Sequence, residues 1–432
     1  MKINSRSGAG WSYVLQDDPS EYEWRTEPMN SRISLSLVVL LLLVPMLAGC
    51  SGGGETRGAD SGATMQSASS PSKSPATGGN SGFTKEDVAP NGLDIRWNYR
   101  HSAEISQSFV ANGNIYIVSS TDDYPMVLVK IDGETGLPRW TYPLEEPLSF
   151  EPSVYVYPEE LRSNQPDELF IVQRGRVHCI DDQFGAQNYV IKCDFPIATG
   201  VSPGLENLII GGFDMRAYGI SKEDRFVNWT FLTGGGVTAD ATNYLNASYV
   251  GSEDGTVYKL LQGAGFVKSD CWDYRTYGAI ESSPTVSGDR IYVGSRDTKV
   301  HCFSDAGEEA YLHWSTPTGK PVVSSPVVSG SSVYAVLTDD RYIPAVNEVV
   351  SLDSGDGKEK WRVGGYDQIL MSFRNSVSLL DTNGNVVNCS ASDGSQLWSL
   401  PTSVCDNVAA LDGGMLLVYG QSGLLQRIQI RR

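Results

Sequence analysis

Positive charge is scarce in this 432-residue chain: 33 Lys and Arg stand against 51 Asp and Glu, a formal net charge of −18. Without a cationic surplus to neutralise phosphates, the composition argues against nucleic-acid binding. Charged residues of both signs amount to only 19%, below the roughly 25% of an ordinary soluble domain. Helical apolar periodicity is missing outside one short block near the start, which argues against a mainly helical protein and against a polytopic membrane protein. There are four His (His101, His178, His301 and His313), and none sits in a zinc or metalloprotease spacing. Abundant instead are 45 Gly, 21 Tyr and 9 Trp. That mixture favours many short strands joined by tight turns.

The exception is the apolar run ISLSLVVLLLLVPMLAG at 33–49, preceded by Arg32 and ending at Leu47-Ala48-Gly49-Cys50. A basic residue, a short apolar core and small residues before a cleavage point describe a secretory signal. The run is short for a bilayer span and contains Pro45. Residues 1–28 are polar and do not suit a signal, so Met29 is expected as the true start and 1–49 as the signal region. Leu47–Cys50 resembles a bacterial lipobox. That resemblance implies lipidation at Cys50 and a protein anchored to a membrane rather than spanning it. A plain signal peptide or a single anchor helix is the alternative. From Ser51 to Gly82, 25 of 32 residues are Ser, Gly, Ala, Thr or Pro, too polar and small to fold. Residues 50–90 are therefore expected to be a disordered tether, spanning roughly 35 Å root-mean-square.

The remainder, 91–432, is one repeat. Trp97, Trp140, Tyr189, Trp229, Trp272, Trp314, Trp361 and Trp398 recur at a mean spacing of 43 residues. This is the length of four short strands with turns, one β-propeller blade. The clearest unit runs Ser282-Ser283-Pro284-Thr285-Val286, then GDRIYVGS from Gly288, KVHCF from Lys299, and Trp314. The next starts SSPVV at Ser324 and continues through GSSVYAVL and EVVSLD to Trp361. Before several of the aromatics stands a turn with Asp and Gly four residues apart: Asp132 and Gly136 before Trp140, Asp353 and Gly357 before Trp361, Asp181 and Gly185 before Tyr189. Asp caps such a turn through its side chain and Gly supplies positive φ. The aromatic ring then lies between neighbouring blades. The blades at Trp272 and Trp314 carry about three extra residues here, and the one at Trp229 has Ser221 and Arg225 in place of Asp and Gly. After Trp398 only three strands follow; the fourth would be LDIRWNYR around Trp97. The expectation is an all-β, eight-bladed β-propeller of four-stranded antiparallel blades, closed by pairing of the N- and C-terminal strands.

The Asp-x-x-x-Gly-x-x-x-Trp copies, with SSPxV and IYVGS, resemble the tryptophan-docking repeats of the pyrroloquinoline quinone (PQQ) β-propeller superfamily. Together with the lipobox and a single propeller, the chain resembles the BamB-like outer-membrane assembly lipoproteins. That resemblance implies a monomeric, non-enzymatic scaffold that binds envelope protein partners, the barrel-assembly machinery among them, and no quinone. Ser51, rather than Asp, after the lipidated Cys implies an outer-membrane address facing the periplasm, with the cell surface as the other possibility. The quinone dehydrogenases of the superfamily use adjacent cysteines beside the cofactor, and no Cys-Cys pair exists here. No catalytic residue, cofactor or metal is expected. A surface or periplasmic ligand-binding or sensor lipoprotein is the alternative, with a PQQ-dependent dehydrogenase behind it.

Two blades carry similar loops between their second and third strands, Thr121–Pro125 and Thr338–Pro344. Asp122, Asp123, Tyr124, Asp339, Asp340 and Tyr342 are the candidate partner contacts, on the propeller face that also carries Glu145 and Glu146. Paired carboxylates beside an exposed Tyr suit a basic, amphipathic partner; a merely solvated loop is the plain alternative. His178 and His301 both sit in VHC at matching strand positions, the mark of a structural slot. Cys179 and Cys302 match likewise and lie too far apart to bridge. Cys193, Cys271, Cys389 and Cys405 are expected as small buried thiols, with a disulfide among them as the alternative.

Overall fold

Thirty-two strands pair into eight four-stranded antiparallel sheets, so the expected eight-bladed propeller is what the chain forms. The computed structural model describes residues 93–430, apart from 102, 163–165, 268–269, 340–345, 401–406, 412–413 and 420–422. The signal region, Cys50, the tether, Asp340, Tyr342 and Cys405 fall outside the described residues. Blades 1 to 7 follow chain order, at 107–143, 153–192, 202–232, 242–275, 285–317, 327–364 and 366–400. The first strands of neighbouring blades touch one another in series, which puts them around the axis and the fourth strands on the rim.

Burial follows from that placement. Second and third strands are covered on both faces by the adjoining blades, so they read as near-continuous apolar runs. Asn114–Ser119 (NIYIVS) and Val127–Ile131 (VLVKI) are buried almost throughout. The rim strand Pro138–Pro143 alternates instead, burying Trp140 and Tyr142 and exposing Arg139 and Thr141. The eighth blade joins the two ends of the chain. Leu93–Arg100 pairs antiparallel with Leu424–Ile430, from Leu93 opposite Ile430 to Arg100 opposite Leu424, with a bulge between Ile95 and Trp97. Closure of this kind leaves no blade unmatched and removes the aggregation-prone edges of an open array.

At five of the eight seams the aromatic of one blade docks on the third-to-fourth-strand turn of the next. The indole Nε1 of Trp97 donates to Gly133 O at 3.0 Å, Trp140 to Asp182 O at 2.9 Å, Trp229 to Gln262 O at 2.8 Å, Trp314 to Ser354 O at 3.2 Å and Trp361 to Ala391 O at 2.9 Å. The acceptor is the second residue of the turn every time. The turn closes on itself as Gly136 N donates to Asp132 O at 2.8 Å, while Asp132 Oδ1 accepts from the N–H of Thr135 at 2.7 Å. Gly136 and Gly185 have φ of +71°, and a Cβ there would sit 2.7 Å from the Trp97 ring or 2.6 Å from the Trp140 ring. Glycine is thus required twice over, by the left-handed backbone and by contact with the indole.

The irregular copies solve the same problem by other means. In blade 5 the turn opens, and Asp305 Oδ1 itself accepts from Trp272 Nε1 at 3.0 Å and from Gly307 N at 2.9 Å. At the seam between blades 2 and 3, Tyr189 has no indole N–H to give, and the turn has Arg225 at the glycine position with φ +63°. The Arg225 guanidinium lies 4.8 Å over the Tyr189 ring, a cation–π contact in place of the docked glycine. The next residue of that turn to point inward, Lys222, reaches back to blade 2 and pairs with buried Glu168 at 2.6 Å, its ammonium 4.2 Å from the Tyr155 ring centre. Trp398 has no such turn to meet, because the third and fourth strands of blade 8 come from opposite ends of the chain. It packs only partly buried against Val386, Leu400 and Leu416.

Trp140→Ala should therefore lower the unfolding free energy by roughly 3–5 kcal/mol, while Trp398→Ala should cost about 1–2 kcal/mol because it is less buried and undocked. Urea unfolding of the two variants checks this. Equal losses would show that turn docking adds nothing to simple ring burial.

Candidate functional site

Blade-to-blade connections and second-to-third-strand turns open on one face of the propeller, and the candidate contacts were expected there. Asp122, Asp123 and Tyr124 are indeed exposed. Their loop is tightened by Thr121 N donating to Tyr124 O at 2.9 Å and by Tyr124 N donating to Thr121 Oγ1 at 3.2 Å. Asp339 departs from the expectation. Second strands such as Arg290–Ser295 have six residues, but Ser332–Asp339 has eight, so Asp339 lies inside the ladder opposite Val346 and is buried. Asp340 and Tyr342 fall outside the described residues. Glu145 and Glu146 are not free carboxylates either. Arg174, in the turn of blade 2, pairs with Glu145 at 2.9 Å and donates its backbone N–H to Glu146 Oε1 at 2.6 Å.

A cavity of about 610 Å³ opens on the axis, walled by the first strands of blades 1, 7 and 8 and by the connection into blade 2. Its polar wall includes Ser106, Gln107, Ser149, Glu151 and Gln368, with Phe150 and Leu370 beside them. No sequence reading pointed here, because the wall is assembled from five short stretches that are remote in the chain. Glu151 is exposed to this space yet surrounded by protein. Desolvation and the neighbouring charge of Asp240 both push its carboxyl above the ordinary value. Asp240 is raised too, by burial, although the Gly200 N–H donating to its Oδ1 at 2.8 Å acts in the opposite direction.

Pyrroloquinoline quinone, the cofactor that these repeats bring to mind, is a tricarboxylate. The cavity wall offers it a carboxylate in Glu151 and no Lys or Arg. An anion held there without a counter-charge is strongly disfavoured. The residues present do not fit the quinone. Among the described residues no group of three His, Cys, Asp or Glu could hold a metal ion.

The repeated histidines are inter-blade struts. Tyr142 Oη lies 3.1 Å from His178 Nδ1, and Tyr274 Oη lies 3.2 Å from His301 Nδ1, each Tyr belonging to the preceding blade. His301 Nε2 is also 3.1 Å from Asp297 Oδ2. Burial lowers His178, outweighing the raising contributions of Gln187 and Glu145. Burial alone would raise Asp297, but the His301 hydrogen bond and the charges of His301 and Lys299 hold it below its ordinary value. Cys179, Cys193, Cys271, Cys302 and Cys389 are free and buried, as small thiols were expected to be. Burial pushes the Cys179 thiol up to about 12 and Cys193 and Cys302 to about 11, so these three are not ready nucleophiles.

The chain is a closed eight-bladed propeller whose blades are docked by tryptophans. Its residues 253–421 match the family model described as "Outer membrane protein assembly factor BamB". BamB from Moraxella catarrhalis superposes with a TM-score of 0.61 at 15% identity, over 79% of this chain and 98% of that one. The quinohemoprotein alcohol dehydrogenase of Comamonas testosteroni gives 0.56 at 12% identity, over 78% of this chain and 76% of that one. The corresponding enzyme ADHIIG of Pseudomonas putida HK5 gives 0.54 at 12%, with the same coverage. At these identities the likeness is one of fold. No curated protein matches the sequence.

The struts titrate in a defined direction. His178 is depressed on folding, so its share of stability is full above its ordinary value of 6.5 and falls as pH drops below that. Asp297 is depressed as well, so its share is full above 3.8 and falls as pH drops through its lower folded value. Thermal unfolding followed from pH 7 downward should show a first loss near the His range, which His178→Gln flattens. A second loss in the carboxylate range should be flattened by Asp297→Asn.

Proposed function

We propose that this chain is a lipid-anchored, non-enzymatic scaffold that binds partner proteins in the cell envelope and assists the assembly of outer-membrane β-barrel proteins. The observation that carries this reading is the match of 253–421 to the BamB family model, on a propeller that spans 98% of the M. catarrhalis BamB chain. The axial cavity supports it from the other side, since its wall, with a carboxylate and no Lys or Arg, does not suit a tricarboxylate quinone. Within this reading residues 1–49 are a signal, Cys50 carries the lipid, 50–90 is the leash and 91–432 the working domain. Asp122, Asp123 and Tyr124 form the described part of an acidic-aromatic contact on the loop face.

Cross-linking in the intact envelope, followed by identification of the captured protein, tests the role. Recovery of a barrel-assembly subunit is the expected result; recovery of glycan alone would favour a sensor, and quinone-dependent dye reduction by the purified protein would overturn the non-enzymatic assignment. Cys50→Ser should move the protein from the membrane to the soluble fraction. Charge reversal at Asp122 and Asp123 together should reduce capture several-fold, mainly through the association rate, and more at low salt than at high.

A further inference from the structure

Leucine and phenylalanine stand in solvent at turn positions that other blades fill with glycine or polar residues. Leu245 takes the left-handed place, φ +53°, in the two-residue turn between the first and second strands of blade 4. The same place holds Asn112 in blade 1, Gly288 in blade 5, Gly330 in blade 6 and Arg374 in blade 7, all with positive φ. A leucine is disfavoured on that backbone, yet this one is 82% exposed, with no packing to compensate. Phe184 is 68% exposed in the third-to-fourth-strand turn of blade 2, where blades 1, 3, 6 and 7 have Thr135, Asp224, Asp356 and Asp393. Leu137, Leu205 and Phe226 are exposed in turns of blades 1 and 3. In an antiparallel meander these turns all lie at one end, the face opposite the blade connections. Neighbouring tips are tied together. Lys222 N donates to Glu206 O at 2.9 Å, joining the turns that carry Phe226 and Leu205. Gln262 Nε2 donates to Leu245 O at 3.1 Å and its Oε1 lies against Gly204, so Leu205 and Leu245 flank one glutamine across the seam between blades 3 and 4. The described turns of blades 5 to 7 expose Asp289, Glu309, Asp356, Lys358 and Asp393 on this face instead.

The chain enters the propeller on this same face. Leu93 pairs with Ile430, whose N–H donates at 2.9 Å to Gly414 O in the first-to-second-strand turn of blade 8. The segment before Leu93, with Cys50 in it, thus joins next to blade 1, where the apolar arc begins. We propose that the arc on blades 1 to 4 is a lipid-contacting surface that sets its Leu and Phe tips into the headgroup boundary of a zwitterionic bilayer. The inference rests on the reading of Cys50 as lipid-bearing and deepens it, because one acyl chain holds a protein only marginally and a second contact makes anchoring stable. Shape selects lipid over protein. Single side chains on separate turn tips, spread over four blades, suit a fluid surface that moulds around each one; a protein partner would need a fixed pocket for every tip. Charge selects the headgroup. Glu206, Glu223 and Asp224 are exposed among the tips, and the nearby Arg225 guanidinium lies over Tyr189, so an anionic headgroup is repelled.

Hydrogen exchange of the full lipid-bearing chain on phosphatidylcholine vesicles tests this, with the Cys50→Ser chain free of vesicles as the reference. Amides around Phe184, Leu205 and Leu245 should exchange several-fold more slowly on the vesicles, and those of the Thr121–Tyr124 loop on the opposite face at an unchanged rate. The slowing should shrink when phosphatidylglycerol replaces part of the phosphatidylcholine; equal slowing there overturns the choice of headgroup. Phe184→Thr with Leu245→Asn gives both turns the residues of their blade 1 counterparts, Thr135 and Asn112, so the fold is kept. This double variant should stay on the vesicles through its lipid and lose the slowing; unchanged slowing overturns the proposal. A chain that floats with the vesicles while these turns exchange as in the reference overturns the proposal and leaves the lipid anchor standing. Slowing that appears only after a second protein is added makes the arc a protein-docking face and also overturns it. A chain that does not float with the vesicles at all overturns the anchor and the proposal together.

Discussion

One hydrogen bond organises this molecule: an indole N–H reaching from one blade to the second carbonyl of the next blade's turn. It does what generic apolar packing cannot. Two flat sheets offer many rotational offsets of similar energy, but a donor at the edge of a large ring fixes one. The bond is short at five seams, from 2.8 to 3.2 Å, and the glycine beneath each ring leaves no space for sliding. Buried cations repeat the message from the third strand. Lys130 pairs with Asp182 at 2.6 Å, and Arg427 donates to Gly133 O at 2.5 Å, in each case to the turn that accepts the neighbouring indole. Such pairs add little net stability after desolvation, but they penalise any other alignment.

The sequence shows the fold because each of these constraints is local. An aromatic every 43 residues, an Asp and a Gly four apart and a β-branched run can all be read without knowing what packs on what. The departures were visible as well: Arg225 in the glycine position and the lengthened turns before Trp272 and Trp314. Their remedies were not. That Arg225 covers Tyr189, and that Asp305 takes over the acceptor role, depend on which blade lies next to which. Asp339 shows the limit on the functional side. A loop boundary that slips by one or two residues moves an acidic side chain from solvent into a ladder, because strand periodicity offers only two faces. The axial cavity lay further from reach, since its wall takes a few residues from each of several stretches remote in the chain, such as 106–110, 148–152, 368–370 and 408–409.

The picture for function is of a rigid ring with differentiated openings. The rim and the seams are committed to holding shape. His178 and His301, and the five cysteines of the described residues, are committed with them, the histidines by inter-blade hydrogen bonds and the thiols by deep burial. On the face with the blade connections the Asp122–Tyr124 loop is exposed, and Glu151 lines the axial cavity. Both are acidic, in a chain whose overall charge is −18, so the long-range field and the local contacts favour the same kind of visitor.

The head-to-tail blade also sets an order of events during biogenesis. The strand Leu93–Arg100 is made before the other strands of the propeller, and its partner Leu424–Ile430 after them. Until then seven blades stand as an open arc with both flanks bare, and the first-made strand has no ladder to join. Completion of the ring thus reports that every strand of the propeller has arrived. A product cut short by even the final strand would keep its early segment unpaired, available to chaperones and proteases that recognise extended chain.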